Sequence, residues 1–193
     1  MKKTLVAVAV ALLTGCASEP KEPAAPPVDP NVAQARGITK NFADSLRSEL
    51  KAGMQAGGPT NAIAVCKDKA PAIAKAEKDK SGWQKVGRTS LKLRNPSNEP
   101  DDWELAVLKK FDQRKAAGED PAKIEYSEVV AAGGKKTFRY MKAIPTQEVC
   151  LACHGEKIDK ATAAKLAKLY PKDKARGFKV GDLRGAFTMT KDL

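Results

Sequence analysis

The spacing of apolar residues along the chain predicts alternating helices and strands. Apolar side chains from Val32 to Met54 recur every three or four positions through residues 31–56, which is the helical period, and Gly57-Gly58-Pro59 ends the pattern. Similar spacing, with capping residues and prolines, predicts further helices at residues 61–66, from Pro71 through Ala76 for a turn or two, from Asp101 to Gly118, and at 161–170.

Alternation with a period of two predicts four strands. Residues 124–131 and 136–144 flank Gly133-Gly134, a dipeptide typical of a tight hairpin turn. The other two strands are expected at residues 83–93 and 183–190, the last with Leu183, Gly185, Phe187 and Met189 on one face. Because helices and strands are interspersed without an internal repeat, the pattern predicts one α+β domain with an antiparallel sheet.

Residues 1–15 have the features of a secretory signal: two lysines, a short apolar run and then small residues. The run is too short to span a bilayer as a permanent helix. The end of this segment, Leu13-Thr14-Gly15-Cys16, resembles a bacterial lipobox, in which the cysteine is lipidated and becomes the first mature residue. An ordinary cleaved signal that contains a cysteine is the alternative. Since Ala17 is not an aspartate, the resemblance to Gram-negative lipoproteins favours the periplasmic side of the outer membrane.

Residues 16–30 are expected to form a tether between the lipid and the folded domain. They contain five prolines among alanines and alternating charges, a composition typical of an extended segment with little structure of its own. The folded domain is therefore expected to cover residues 31–193, a length that allows a sizeable core.

The chain is basic, with a formal net charge of +12. Removing residues 1–15 takes Lys2 and Lys3 away and leaves +10 for the mature chain. Export excludes nucleic acid as a partner, so a membrane surface or an acidic redox or signalling protein is a better match for this charge. The lysines are scattered along the chain, however, which is typical of an ordinary solvated surface.

The most informative motif is Cys150-Leu151-Ala152-Cys153-His154. The spacing C-x-x-C-H is that of a c-type haem attachment site, in which two thiols bind the haem covalently and the histidine supplies an axial ligand to the iron. A C-x-x-C pair alone is also compatible with a redox dithiol or half of a zinc site. The adjoining histidine, which is the only one in the chain, favours a single covalent haem c over both.

A second axial ligand cannot be another histidine of this chain, because there is none. The residues alone leave Cys66, a methionine, a lysine or an open position as candidates. Met54, Met141 and Met189 lie where apolar core residues are expected, which favours core packing for all three. Cys66 remains unassigned once Cys16 is given to lipid and the motif cysteines to haem, and a buried inert thiol is its alternative.

Several runs of residues match a known family pattern. They are 61–66, 70–74, 87–96, 98, 100, 103–104, 150–155, 170–177 and 181–187. These runs resemble a bacterial family, the PAS-like single-haem c domains, known from a cyanobacterial Tll-type haem protein and from input domains of sensor histidine kinases. The resemblance spans residues 31–193. It implies a PAS-like antiparallel sheet with flanking helices and a six-coordinate haem c, with His154 and Cys66 as the axial ligands.

Arginines are candidates for binding the haem propionates, since a guanidinium can form two parallel hydrogen bonds with a carboxylate. Arg88 is the first choice because it lies within a matching run, and Arg94, Arg139 and Arg184 are further candidates.

These features predict a lipid-anchored, periplasm-facing haem protein that senses redox state or a small gas. A periplasmic electron-transfer cytochrome c is the alternative. An enzyme is not expected: in a peroxidase, a second axial ligand would block the substrate, and no second histidine offers acid–base help.

Overall fold

The computed structural model describes residues 28–193, so the predicted signal peptide, Cys16 and most of the predicted tether lie outside the described residues. One four-stranded antiparallel sheet forms the centre, in the order β1-β4-β3-β2. This confirms the predicted α+β class and antiparallel sheet. The strands are β1, Lys85–Thr89; β2, Glu125–Ala132; β3, Lys135–Pro145; and β4, Leu183–Asp192.

Helices precede and flank the sheet. The first is interrupted at Gly57 and Gly58, whose backbone angles are not helical, as the Gly-Gly-Pro sequence predicts. A five-residue π-helical turn, Val65–Lys69, joins it to the second. The α-helices are α1, Pro30–Ala64; α2, Ala70–Ser81; α3, Asp102–Ala116; α4, Leu151–His154; and α5, Lys160–Leu169.

Local sequence signals set several of these boundaries. Asp101 and Glu104 form the predicted capping box at the start of α3, each side chain accepting from the other residue's backbone N–H. Gly133 and Gly134 both have positive φ, at 57° and 77°, so glycine suits the turn between β2 and β3. Both predictions are confirmed.

Helices pack on both faces of the sheet. On one face, Phe42 of α1 lies against Phe187 with ring centroids 5.2 Å apart, and on the other, Phe111 of α3 packs in a cluster with Met141 and Ala186. Phe187 and Met189 of β4 share one face, as predicted, and lie in the cluster with Phe42. The other face of β4 is also covered, because α3 packs there and buries Ala186 and Thr188.

Two element lengths also differ from the prediction. The first strand ends at Thr89 rather than at residue 93, because the Ser90 hydroxyl donates to the carbonyl of Arg184 and accepts from the Lys92 N–H, which turns the chain away from the sheet. The helix expected to last a turn or two from Pro71 continues to Ser81. Within residues 28–193, no helix is both long and apolar enough to cross a bilayer.

Candidate functional site

A cavity opens where the second half of α1, the π-helical turn, α4 and the start of β4 meet. The space between its walls is about 1180 Å³, including the part that is open to solvent. Aliphatic side chains form most of the lining, which suits a large flat apolar group. These apolar wall residues are Leu46, Leu50, Met54, Ile63, Leu93, Ile144 and Leu166.

Three cysteines line this cavity. Cys150 ends a 3₁₀ turn and Cys153 lies in α4, so both thiols of the motif reach the space from adjoining turns. Cys66 reaches it from the π-helical turn, a backbone form that is often found at functional sites. All three are half-buried free thiols. Burial, together with the other thiols, raises the pKa of Cys153 against the opposing effect of Arg94.

His154 presents Nε2 to the cavity. Its Nδ1 lies 2.8 Å from the carbonyl oxygen of Ala175, which can only accept, so we assign the proton to Nδ1. Nε2 lies 3.4 Å from Nη1 of Arg94 and 3.4 Å from Nε of Arg184, both of which are donors. Burial, reinforced by these two positive charges, holds the pKa of His154 well below its usual value. The ring is therefore neutral, and its Nε2 lone pair points into the cavity, where the Arg184 Nε–H donates to it over a long 3.4 Å.

Two guanidinium groups line the cavity without a carboxylate partner among the described residues. Arg88 points from β1 and lies over the Phe42 ring, 5.6 Å from its centroid. Arg184 donates to the hydroxyl of Ser90 at 3.0 Å and to the carbonyl of Lys92 at 3.3 Å. Burial lowers the pKa of both groups, that of Arg184 to about 10. Such poorly solvated cations favour an anionic group on whatever occupies the cavity.

Tyr170, which follows α5, is a further wall residue and is almost fully buried. Burial raises the pKa of its hydroxyl, and the nearby Cys66 adds to this effect. It stands in a small apolar cluster with Ile63 and Leu166, which closes one side of the cavity.

The Tll0287-like family model matches residues 27–191. The chain belongs to the Tll0287-like family. It is similar to the crystal structure of the cyanobacterial haem protein Tll0287, with 26% sequence identity, a TM-score of 0.65, and coverage of 86% of this chain and 97% of that one. No curated protein matches the chain. The predicted relationship to a Tll-type haem-protein domain is thus confirmed, whereas a PAS-like fold, covalent attachment and His/Cys ligation stay predictions.

The predicted site residues of this Tll0287-like chain come together at one place. The cavity is lined by Cys150, Cys153, His154, Cys66 and Arg88, although residues 66 and 150 are distant in sequence. Cys16 lies outside the described residues.

The remaining candidates separate into different roles. Met141 and Met189 are fully buried in the two cores, as predicted, but Met54 lines the cavity. Arg139 lies away from the cavity and pairs with Asp101. Arg94 lines the cavity, but its guanidinium pairs with Asp173.

The structure also shows residues in the cavity wall, or paired with a wall residue, that sequence reasoning missed. Asp173, Tyr170 and the two leucines at 46 and 50 were not singled out as site residues, although Asp173 and Tyr170 lie in one of the matching runs. The cavity thus combines two motif thiols, a neutral imidazole, an apolar wall and guanidinium groups that have no carboxylate partner within residues 28–193. Together they form a donor set that fits a haem with its propionates.

Proposed function

We propose that this chain is a c-type haem protein that binds one covalent haem in the cavity described above. The observation that carries the proposal is the convergence of Cys66, Cys150, Cys153 and His154 on one apolar cavity. The relative Tll0287 is a haem protein, which supports the same conclusion. Bound haem would supply a reversible one-electron couple at its iron.

Cys150 and Cys153 would attach the haem. Each thiol would add across one vinyl group, with the sulfur bonded to one vinyl carbon and the hydrogen to the other, which would give two thioethers. His154 would bind the iron through Nε2, while Arg88 and Arg184 would pair with the propionates.

Cys66 would supply the second axial ligand, within a PAS-like domain. Its thiolate would donate electron density and stabilise ferric iron over ferrous iron, which predicts a low reduction potential. Arg88 and Arg184 line the same cavity as Cys66, so two positively charged groups stand in the wall that also carries this thiol. A thiolate that leaves the iron on reduction would open a position for a small gas.

The role that best suits this ligand set is sensing of redox state or of a small gas, with the response passed to a partner protein. An electron-transfer cytochrome c is the alternative, favoured by the basic charge, which suits an acidic redox partner. We do not propose an enzyme, and a peroxidase would need an open iron face. The setting would be periplasmic, through lipidated Cys16 in the outer membrane.

Absorption and EPR spectra of the purified full chain, in wild type and in Cys66→Ala, test the ligand set. We expect low-spin ferric haem with thiolate features that disappear in Cys66→Ala, and haem that stays bound after denaturation of the wild type. Met54→Leu is the matched control, because Met54 is the other sulfur-bearing candidate in the cavity wall. Unchanged spectra in Cys66→Ala would show that Cys66 is not a ligand.

Binding of CO or NO after reduction separates the two roles. A sensor should take up the gas with loss of the thiolate features. Fast electron exchange with a low-potential donor, without gas binding, would favour electron transfer instead.

A further inference from the structure

The orientation of His154 depends on a segment that is distant in sequence. Residues 173–178, which we call the proximal strap, follow α5 and have no regular secondary structure. The strap is bonded to the backbone of the motif, since Phe178 N–H donates to the His154 carbonyl at 3.0 Å. It is also bonded to the ring, since the Ala175 carbonyl accepts from Nδ1 at 2.8 Å. The strap thus holds His154 at two points.

A buried ion pair holds the strap in turn. Arg94 and Asp173 are joined by two hydrogen bonds, Nε to Oδ1 at 3.1 Å and Nη2 to Oδ2 at 3.2 Å, and their side chains are only 6% and 2% exposed. The same two side chains bind both backbone groups of Ala175. Oδ1 of Asp173 accepts from its N–H at 2.9 Å, and Nη2 of Arg94 donates to its carbonyl at 3.1 Å.

We propose that Arg94 and Asp173 are positioning residues for His154 as an axial ligand. By fixing the Ala175 carbonyl, the pair fixes the rotation of the imidazole and keeps its proton on Nδ1, so that the Nε2 lone pair faces the cavity. This inference rests on the proposed haem ligation. A well-aligned Nδ1–H···O bond makes an imidazole ligand more basic. The pair therefore favours ferric iron and lowers the reduction potential.

Arg94→Lys tests the inference without changing the net charge. Lysine keeps the positive charge but lacks the planar fork that binds Asp173 and Ala175 together. Arg176→Lys is the matched control. Arg176 also binds Asp173, at 2.9 Å, but its side chain is 40% exposed and makes no hydrogen bond to Ala175 or His154 among residues 28–193.

Potentiometric titration of the haem-loaded full chain measures the effect. We expect Arg94→Lys to shift the ferric–ferrous equilibrium about tenfold toward ferrous iron, an upward shift of about 59 mV for one electron. Its EPR g values should move as well, while Arg176→Lys stays at the wild-type values. An unchanged potential in Arg94→Lys, or an equal shift in both variants, would overturn the inference.

Two further readouts keep the inference separate from the proposed function. Wild-type protein without covalent, His154-ligated haem would refute the proposed function itself, whereas normal wild-type spectra with an unaffected Arg94→Lys would refute only the positioning role. Should Arg94→Lys fail to fold, proton NMR of the wild type decides the question. We expect the Nδ1–H of His154 to exchange slowly with solvent, and fast exchange would contradict the role of the strap.

Discussion

Glu104 and Thr188 share a hydrogen bond of 2.6 Å between α3 and β4, where neither residue is more than 1% exposed. The same carboxylate accepts from Lys85 of β1 at 2.5 Å and from the backbone N–H of Asp101 at 3.0 Å. One side chain therefore joins a helix cap to two strands of the sheet.

Glu104→Gln should lower the free energy of unfolding. The amide can still accept from Thr188, but Lys85 loses its only short ion pair among the described residues. The Lys85 side chain is 42% exposed, so the charge left behind is not buried. The expected loss is therefore that of a hydrogen bond to a charged group, about 1.5–3 kcal/mol. Urea denaturation measures the loss. Glu119→Gln is the control, because it breaks the exposed pair with Arg114 and should leave the urea midpoint near that of wild type. Equal losses of stability in Glu104→Gln and Glu119→Gln would contradict the role of burial.

Gly185 on β4 lies at a close approach between two strands beside the cavity. A Cβ added there would lie 2.3 Å from the carbonyl oxygen of Thr89, and φ is 154°. We expect Gly185→Ala to destabilise the fold by about 1–3 kcal/mol and to lower the haem content per chain. The measurements are thermal unfolding and a pyridine haemochrome assay.

Gly37→Ala is the control for that substitution. It lies in α1 with nothing within 4 Å of an added Cβ, so alanine should stabilise the helix by about 0.5–1 kcal/mol. A stable, fully haem-loaded Gly185→Ala would show that the strands can separate to admit the methyl group.

Glu125 should make the stability depend on pH in the acid range. Burial alone would raise its pKa, but hydrogen bonds from Arg36 and Tyr140 and the charge of Lys142 outweigh this and hold the pKa below the usual glutamate value of 4.5. The stabilisation is therefore present above about pH 4.5 and is lost as the pH falls through the lower folded pKa.

Urea midpoints measured between about pH 6 and pH 2 test this dependence. Glu125→Gln should remove part of the decrease that wild type shows below about pH 4.5. Glu99→Gln is the control, because Glu99 is exposed and its side chain has no hydrogen bond or ion pair within the described part of the chain. If the urea midpoints of wild type and Glu125→Gln change with pH in parallel, Glu125 does not contribute to the pH dependence of stability.

Arg88→Gln should lower the reduction potential of the haem-loaded protein. Ferric haem carries one more positive charge than ferrous haem, so loss of a positive charge from the cavity wall stabilises the ferric form relative to the ferrous form. Resonance Raman spectroscopy should show a shifted propionate mode in the same variant. Arg47→Gln, on the exposed surface of α1 where Arg47 pairs with Asp44, should change neither. A propionate mode at the wild-type frequency in Arg88→Gln would show that Arg88 does not contact the haem propionates.

Cys16→Ser should release the protein from the membrane fraction into the soluble periplasmic fraction. Serine lacks the thiol that would take the lipid under the proposed anchoring, whereas the remaining signal sequence is unchanged. Cell fractionation with immunodetection measures the distribution, and mass spectrometry of the wild type should show the lipid mass. Membrane association that persists in Cys16→Ser would exclude the lipid as the anchor.

The sequence by itself determined the features that depend on neighbours along the chain. Helical spacing, the Asp101 capping box and the Gly133-Gly134 turn act within a few residues, so the elements and the antiparallel arrangement could be predicted. The C-x-x-C-H motif is equally local, and it indicated the cofactor chemistry before any fold was known.

Only the tertiary structure decided which distant residues meet. In the sequence, Arg94 was a candidate for the haem propionates and Asp173 only part of a matching run. Their pairing depends on how the loop after β1 packs on the strap. The burial of both faces of β4 depends likewise on where α3 docks. The position of Met54 in the cavity wall depends on where α1 leaves the core. Such contacts are set by packing among elements far apart in the chain, and no local pattern specifies them.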